Sequence, residues 1–310
     1  MNINSRIAII GSKSQIGLGL TKELNKSNYK KIFLFDFEIN DHQYEKKIIK
    51  FFTQMSPEYV FLSQGISGGI LYNQKKPLDL MVHNLITQLE VMKYAHRFKI
   101  KKLLFYSSSC VFPKENNGYL KPSDIMSGYL EPTNRHYAVA KIAGMNLCDA
   151  YNKQYKTKFI TAIPSNPFGP GDKFHIQNSH VIPSLILKMH NAKINDKKKI
   201  EIWGTGKPIR DFIFVEDLAS ASIKIMQKYR SNGPINLSSG QSYSIKDIAN
   251  LIKDVVGYEG ILFFNSNKPD GMKIKVLDNS VLKKLGWKSK INIRKSLNKT
   301  YKWYLNNLTD

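Results

Sequence analysis

Cysteine is nearly absent from this chain: Cys110 and Cys148 are the two among 310 residues. Two are too few for a disulfide framework, and neither has a second Cys or His at metal-ligand spacing. A reducing cytoplasm is the expected setting, and no metal is expected. Long apolar runs are missing as well. The opening M-N-I-N-S-R leads straight into a strand-like run, so neither a membrane span nor a signal peptide is expected. Acidic residues are few, 24 against 47 basic ones, for a formal net charge of +23. Lysine supplies 41 of those cations and arginine only six, spread through segments such as 44–50 and 193–199. That spread argues against a nucleic-acid partner. It fits a lysine-heavy composition, or a polyanionic ligand drawn in by a positive field.

What is present is ordinary for a globular protein: 42% hydrophobic and 23% charged residues, with length enough for two domains. The run R-I-A-I-I (6–10) ends at Gly11, and a helical pattern over about 16–26 follows. Strand, glycine loop and helix in that order are the context of a dinucleotide fingerprint. Gly11 permits the tight turn, Gly17 permits close packing, and the amides that open the helix would face a diphosphate. Ser14 stands where a middle glycine is usual, which predicts crowding at the loop. A second strand (31–36) ends in Asp36, placed for a ribose 2′-hydroxyl and so for NAD(H). Lys13, in the loop, is placed for a 2′-phosphate and so for NADP(H).

Strands at 59–63, 102–107 and 159–164 alternate with helices near 42–54 and 78–97 and a helix through Tyr137. This rhythm predicts an α/β fold, a Rossmann-type doubly wound parallel sheet over residues 1–164. S-N-P-F-G-P-G-D (165–172) marks a change to shorter, mixed elements. A smaller C-terminal substrate domain is expected over 165–310, with about 211–232 packing back on the first.

Tyr137 and Lys141 in Y-A-V-A-K lie one helical turn apart on one face. A phenol has a pKa of about 10, and a neighbouring cation would lower it toward the range of an acid/base catalyst. The pattern is common by itself. Its neighbours give it meaning: the glycine loop, S-S-S-C-V-F-P-K, S-N-P-F-G-P, N-S-H-V-I-P, W-G-T-G-K-P-I-R-D-F and K-P-D-G. Together these resemble the extended short-chain dehydrogenase/reductases that act on nucleotide sugars, and within them the GDP-L-fucose synthase group.

The resemblance covers nearly the whole chain. It implies reduction of a GDP-4-keto sugar at C4 with NADP(H), 3,5-epimerisation, and a homodimer. It implies a reductase triad of Ser108, Tyr137 and Lys141, and an acid/base pair of Cys110 and His180 for C3 and C5. The cofactor would meet Gly11, Lys13, Ser14, Gln15, Ile16, Gly17, Asp36, Tyr137, Lys141, Pro164, Asn166 and His180. The sugar nucleotide would meet Ser109, Asn166, Lys188, Trp203, Arg210, Lys268 and Asp270. For Arg210 the alternative is a salt bridge to Asp211 or Asp217. The chain departs from the group at Ser14, and at Phe35-Asp36-Phe37 where a basic residue is usual, which leaves NAD(H) open. A heptose in place of the 6-deoxyhexose, reduction without epimerisation, and an enzyme that retains NAD are the alternative chemistries. A non-catalytic nucleotide sensor or nucleic-acid binder is the reading from outside enzymology.

Overall fold

The computed structural model describes residues 1–116, 118–175, 179–268 and 270–308. Asn178 of N-S-H-V-I-P, Pro269 of K-P-D-G and the terminal residues 309–310 of the expected second domain lie outside the described residues.

The first part of the chain runs β1 Arg6–Ile10, α1 Gln15–Lys26, β2 Lys31–Phe35, α2 Tyr44–Met55 and β3 Tyr59–Leu62. It continues with α3 Ile70–Lys75, α4 Pro77–Arg97, β4 Lys102–Tyr106, α5 Arg135–Tyr155 and β5 Phe159–Pro164. After these come β6 Asn166–Phe168, α6 Val181–Ile194, β7 Lys199–Trp203, β8 Ile209–Phe214, α7 Val215–Lys228 and β9 Ile235–Leu237. The last are β10 Ser242–Ser244, α8 Ile245–Val256, β11 Ile261–Asn265, β12 Ile274–Lys275, α9 Ser280–Lys284 and α10 Ile293–Asn306.

Six parallel strands form the main sheet in the order β2-β1-β3-β4-β5-β9. The doubly wound sheet expected from the sequence is the one observed. β4 and β5 are buried along their whole length, as strands covered on both faces must be. On one face Leu20 and Leu24 of α1 and Leu218 and Met226 of α7 pack on Ile7, Ile9 and Leu104. On the other, Phe52 of α2, Met92 of α4 and Cys148 of α5 pack on Ala8, Val60 and Phe105. The strand order reverses between β1 and β3, and the crevice beyond the carboxyl ends there is where such sheets hold ligands.

The later elements build a second core. Ile186 and Met189 of α6, Ile252 of α8 and Leu297 of α10 close over Ile202 and Phe212. α8 starts at a capping box of Ser244 and Asp247 and stops at Gly257, whose φ of +69° suits glycine. The chain does not stay in this half. After β8 it returns: α7 packs along α1, and β9 pairs with β5. Buried Lys102 fastens α7 to the sheet by donating to the carbonyls of Ile225, Met226 and Tyr229 at 3.3, 3.2 and 2.7 Å. No helix among the described residues is long and apolar enough to cross a membrane.

Candidate active site

The glycine loop is drawn tight. Gly11 sits at φ +91°, and a Cβ there would lie 2.2 Å from the Gln64 amide nitrogen. A Cβ at Gly17 would lie 2.1 Å from the Gly11 carbonyl oxygen. Ser14 does not crowd the loop as its sequence position suggested. It is the N-cap of α1: its Oγ accepts from the Gly17 amide at 3.0 Å and donates to the Gly11 carbonyl at 2.7 Å. The Gln15 and Ile16 amides that follow carry no hydrogen bond among the described residues, so the helix start keeps free donors for an anion. Asp36 turns back into the chain. It accepts from the Ser12 hydroxyl and from the Lys13 amide, the latter at 3.2 Å. An acid already engaged by its own loop is a weak argument for a free ribose hydroxyl. The Lys13 side chain is exposed beside it.

Beyond β4 the chain enters a short 3-10 turn over Ser109–Val111. Ser108 caps that turn, with its Oγ accepting from the Cys110 amide at 3.2 Å. The same serine hydrogen-bonds the Tyr137 phenol, which α5 brings across from its first turn. Lys141, one turn on, is buried. Its Nζ donates to the Tyr106 carbonyl at 3.2 Å and stands 5.7 Å from the Tyr137 ring centre. The expected lowering of the Tyr137 pKa is not found. Burial pushes the phenol above its usual value, helped by the Cys110 charge, and the Ser108 hydrogen bond only partly offsets this. Desolvation also pulls Lys141 down to about 8. Asn84 Oδ1, buried and without a partner, borders the same spot: a Cβ on Gly65 would lie 2.4 Å from it and 3.4 Å from Lys141 Nζ. Free helix amides, a glycine cradle and an orphaned acceptor beside a buried ammonium together suit a dinucleotide. Pro164 is the buried last residue of β5.

The half-exposed Cys110 thiol accepts from Asn134 Nδ2 at 3.4 Å and from Lys275 Nζ at 3.8 Å. His180 opens α6. Its pKa is lowered by burial and then by the charges of Lys275 and Lys173, so the imidazole is neutral at pH 7. Cys148 is a core residue, 2% exposed, with its thiol pushed up to about 12 by burial.

The residues expected to meet the sugar nucleotide lie mostly on the later elements. Trp203 is 49% exposed, and Lys268 Nζ stands 5.6 Å from its ring centre. The Asp270 carboxylate accepts from the Thr205 amide and hydroxyl at 2.6 and 2.7 Å, so it shapes the G-T-G turn. Arg210 pairs with neither Asp211 nor Asp217. Among the described residues its side chain makes one hydrogen bond, to the Ile209 carbonyl at 2.9 Å, and Asp270 is the acid whose charge it feels. Asp217 is taken by Ser289, Lys290 and Ile291. Asn166 Nδ2 donates to the Asp211 carbonyl at 2.6 Å, and Lys188 Nζ to the Glu201 carbonyl at 2.8 Å. Ser109 is buried, and its hydroxyl donates to the Ser165 carbonyl at 3.5 Å.

A family model described as NAD dependent epimerase/dehydratase family matches residues 7–239. The chain belongs to that family. Within it the chain is a GDP-L-fucose synthase-like extended short-chain dehydrogenase/reductase. It is 38% identical to GDP-L-fucose synthase 1 of Arabidopsis thaliana over 305 residues, 98% of this chain and 94% of that one. Among solved structures it resembles MlghC, a GDP-mannoheptose C4 reductase from Campylobacter jejuni with NADP bound. The TM-score is 0.87 at 34% identity, covering 98% of this chain and 99% of that one. It also resembles a GDP-D-glycero-L-gluco-heptose synthase from Campylobacter jejuni in the presence of NADPH. There the TM-score is 0.90 at 32% identity, with coverage of 98% and 99%.

Two contacts in this epimerase/dehydratase frame escaped sequence reasoning. Asn134 carried a usable signal, since it stands three residues before Tyr137. Lys275 carried none. Its place beside Cys110 follows from the parallel pairing of β12 with β8, which sets it opposite Arg210.

Proposed function

We propose that this chain is an NADP(H)-dependent C4-keto reductase of a GDP-4-keto sugar, a 6-deoxyhexose or a heptose, in activated-sugar biosynthesis. The observation that carries this is Tyr137, hydrogen-bonded to Ser108 with Lys141 Nζ 5.7 Å from its ring centre. The Gly11–Gly17 loop and the free α1 amides would hold NADPH, which would supply a hydride for the keto carbon at C4. The sugar oxygen then needs a proton. A phenol held protonated by burial is ready to donate it, and the Ser108 hydroxyl hydrogen-bonds the same oxygen as charge develops. The Lys141 ammonium stabilises the phenolate left behind.

The chain also moves protons at C3 and C5. The 4-keto group acidifies both positions. Neutral His180 accepts or returns a proton, and Cys110 serves as its counterpart. The Lys275 ammonium, 3.8 Å from sulfur, offsets the charge that develops when the thiol gives up its proton. Replacing Lys275 by methionine should therefore slow deuterium wash-in at C3 and C5 by about 10- to 100-fold, the cost of one or two pKa units. Reduction of a substrate already in its final configuration should change about threefold or less. Equal losses in both assays would mean that Lys275 only shapes the pocket.

The direct test of function is NADPH oxidation with GDP-4-keto-6-deoxymannose and with a GDP-4-keto heptose. Absence of turnover on both, with either nicotinamide cofactor, would refute the reading. Two further points belong to it. The enzyme acts in the cytoplasm, where Cys110 stays a thiol. It works as a homodimer, for which exposed Leu78, Val82 and Leu89 on one face of α4, with Val139 on the neighbouring α5, supply an apolar surface. Neither nucleic acid nor membrane has a part in it.

A further inference from the structure

The loop after β6 folds back over the first turn of α1. Gln15 Nε2 donates to the Gly169 carbonyl at 3.3 Å. Gly171, at φ +83°, presses so close that a Cβ would meet Leu18 Cδ1 at 2.8 Å and Gln15 Cα at 3.4 Å. Asp172 comes next. Its amide donates to the Gly169 carbonyl at 3.2 Å, and its Oδ1 accepts from the Lys173 amide at 3.2 Å. Its Oδ2 is buried and has no partner among the described residues, while the Gln15 side chain also hydrogen-bonds the carboxyl. An ionised carboxylate with one oxygen desolvated and unbonded is costly, whereas the protonated form loses little there.

We propose that Asp172 couples capture of the dinucleotide to uptake of one proton, because its carboxyl shares the first turn of α1 with the diphosphate. This rests on the NADP(H) reading above. The turn that Asp172 abuts is the one whose Gln15 and Ile16 amides are free for an anion. Two anionic groups against one helix start repel each other, and the cheaper arrangement protonates the carboxyl. Among the described residues no cation is placed to neutralise it. α1 presents the uncharged Gln15 and Leu18; the Gln15 side chain hydrogen-bonds the carboxyl, which favours the charged form but is outweighed by burial, and the first turn carries no acid. Within the loop, Lys173 contributes its backbone amide and no charge to Asp172, and His175 stands three residues on. Burial has already pushed the Asp172 carboxyl up to about 7, so the proton is within reach at physiological pH. Its sign follows. A carboxyl that must be protonated for docking is ready below pH 7 and increasingly ionised above it, so affinity falls as pH rises.

The test is NADPH binding to the cofactor-free full chain, followed by nicotinamide fluorescence at pH 7.0 and 8.0. The 2′-phosphate, with a second pKa of about 6, is largely ionised at both. The dissociation constant should weaken about fivefold or more across that interval. In Asp172→Asn it should change about twofold or less, the residue of Lys141 titration. Calorimetry at pH 7 in two buffers of different ionisation enthalpy should register uptake of about half a proton by the natural chain. A pH-independent constant without proton uptake overturns the proposal, as does an equal slope in the folded variant. If Asp172→Asn does not fold, the calorimetry on the natural chain decides alone. Failure of NADPH to bind at either pH would overturn the cofactor reading, and this inference with it.

Discussion

Tyr137→Phe should slow reduction at C4 by about 10²- to 10⁴-fold, the usual contribution of a positioned general acid. That corresponds to about 3–5 kcal/mol of barrier. The substitution removes one oxygen and leaves the ring that packs beside Lys141 and under the Ser108 turn. Binding of the dinucleotide depends instead on the α1 amides, the Gly11–Gly17 cradle and Lys141, so its dissociation constant should move about threefold or less. Single-turnover oxidation of pre-bound NADPH separates the two. A variant that still reduces at the natural rate would remove Tyr137 from the chemistry. One that no longer binds NADPH would show that the phenol holds the cofactor rather than the proton.

The second large effect is expected at Cys110. Cys110→Ser replaces a thiol by a hydroxyl that ionises only at far higher pH, while Asn134 and Lys275 keep their places around it. Deuterium wash-in from solvent at C3 and C5 should fall by about 10²-fold or more. The C4 reduction of a substrate already epimerised should persist within about fivefold, since Ser108, Tyr137 and Lys141 are untouched. If exchange continues unimpaired, the thiol is a bystander and the chain is a reductase alone. That outcome would leave the reductase assignment standing, because the two chemistries use different side chains.

The sheet was legible because its signals are local. R-I-A-I-I before Gly11, K-L-L-F-Y-S and F-I-T-A-I-P each announce a strand buried on both faces, and α4 and α5 carry a long helical periodicity. The grouping of Ser108, Tyr137 and Lys141 was implied by the family resemblance that the motifs carry. Four features were not legible, each for a physical reason. Ser14 read as a damaged glycine motif, but a serine followed three residues later by a glycine amide is also an N-cap, and the cap won. Asp36 could reach outward to a ribose or backward to Ser12. That choice depends on how β2 and the loop meet, which spacing does not encode. The Tyr137 pKa depends on how much protein surrounds the hydroxyl. Two residues four apart say nothing about desolvation. Lys275 is the extreme case, 165 positions from the sulfur it touches.

The return of the chain through α7 and β9 limits how this molecule could be divided or borrowed. A fragment ending at Pro164 would keep the whole glycine loop, Tyr137 and Lys141. It would lose a lateral strand along β5 and the helix that shields Ile7, Ile9 and Leu104. Val215, Leu218, Ile223, Ile225 and Met226 are the apolar anchors of that helix. Uncovering their contacts forfeits roughly 10 kcal/mol, about the entire net stability of a typical domain. The nucleotide half is thus no transplantable cassette: evolution or engineering can swap the sugar-facing segments around it only by keeping the interlude that threads home.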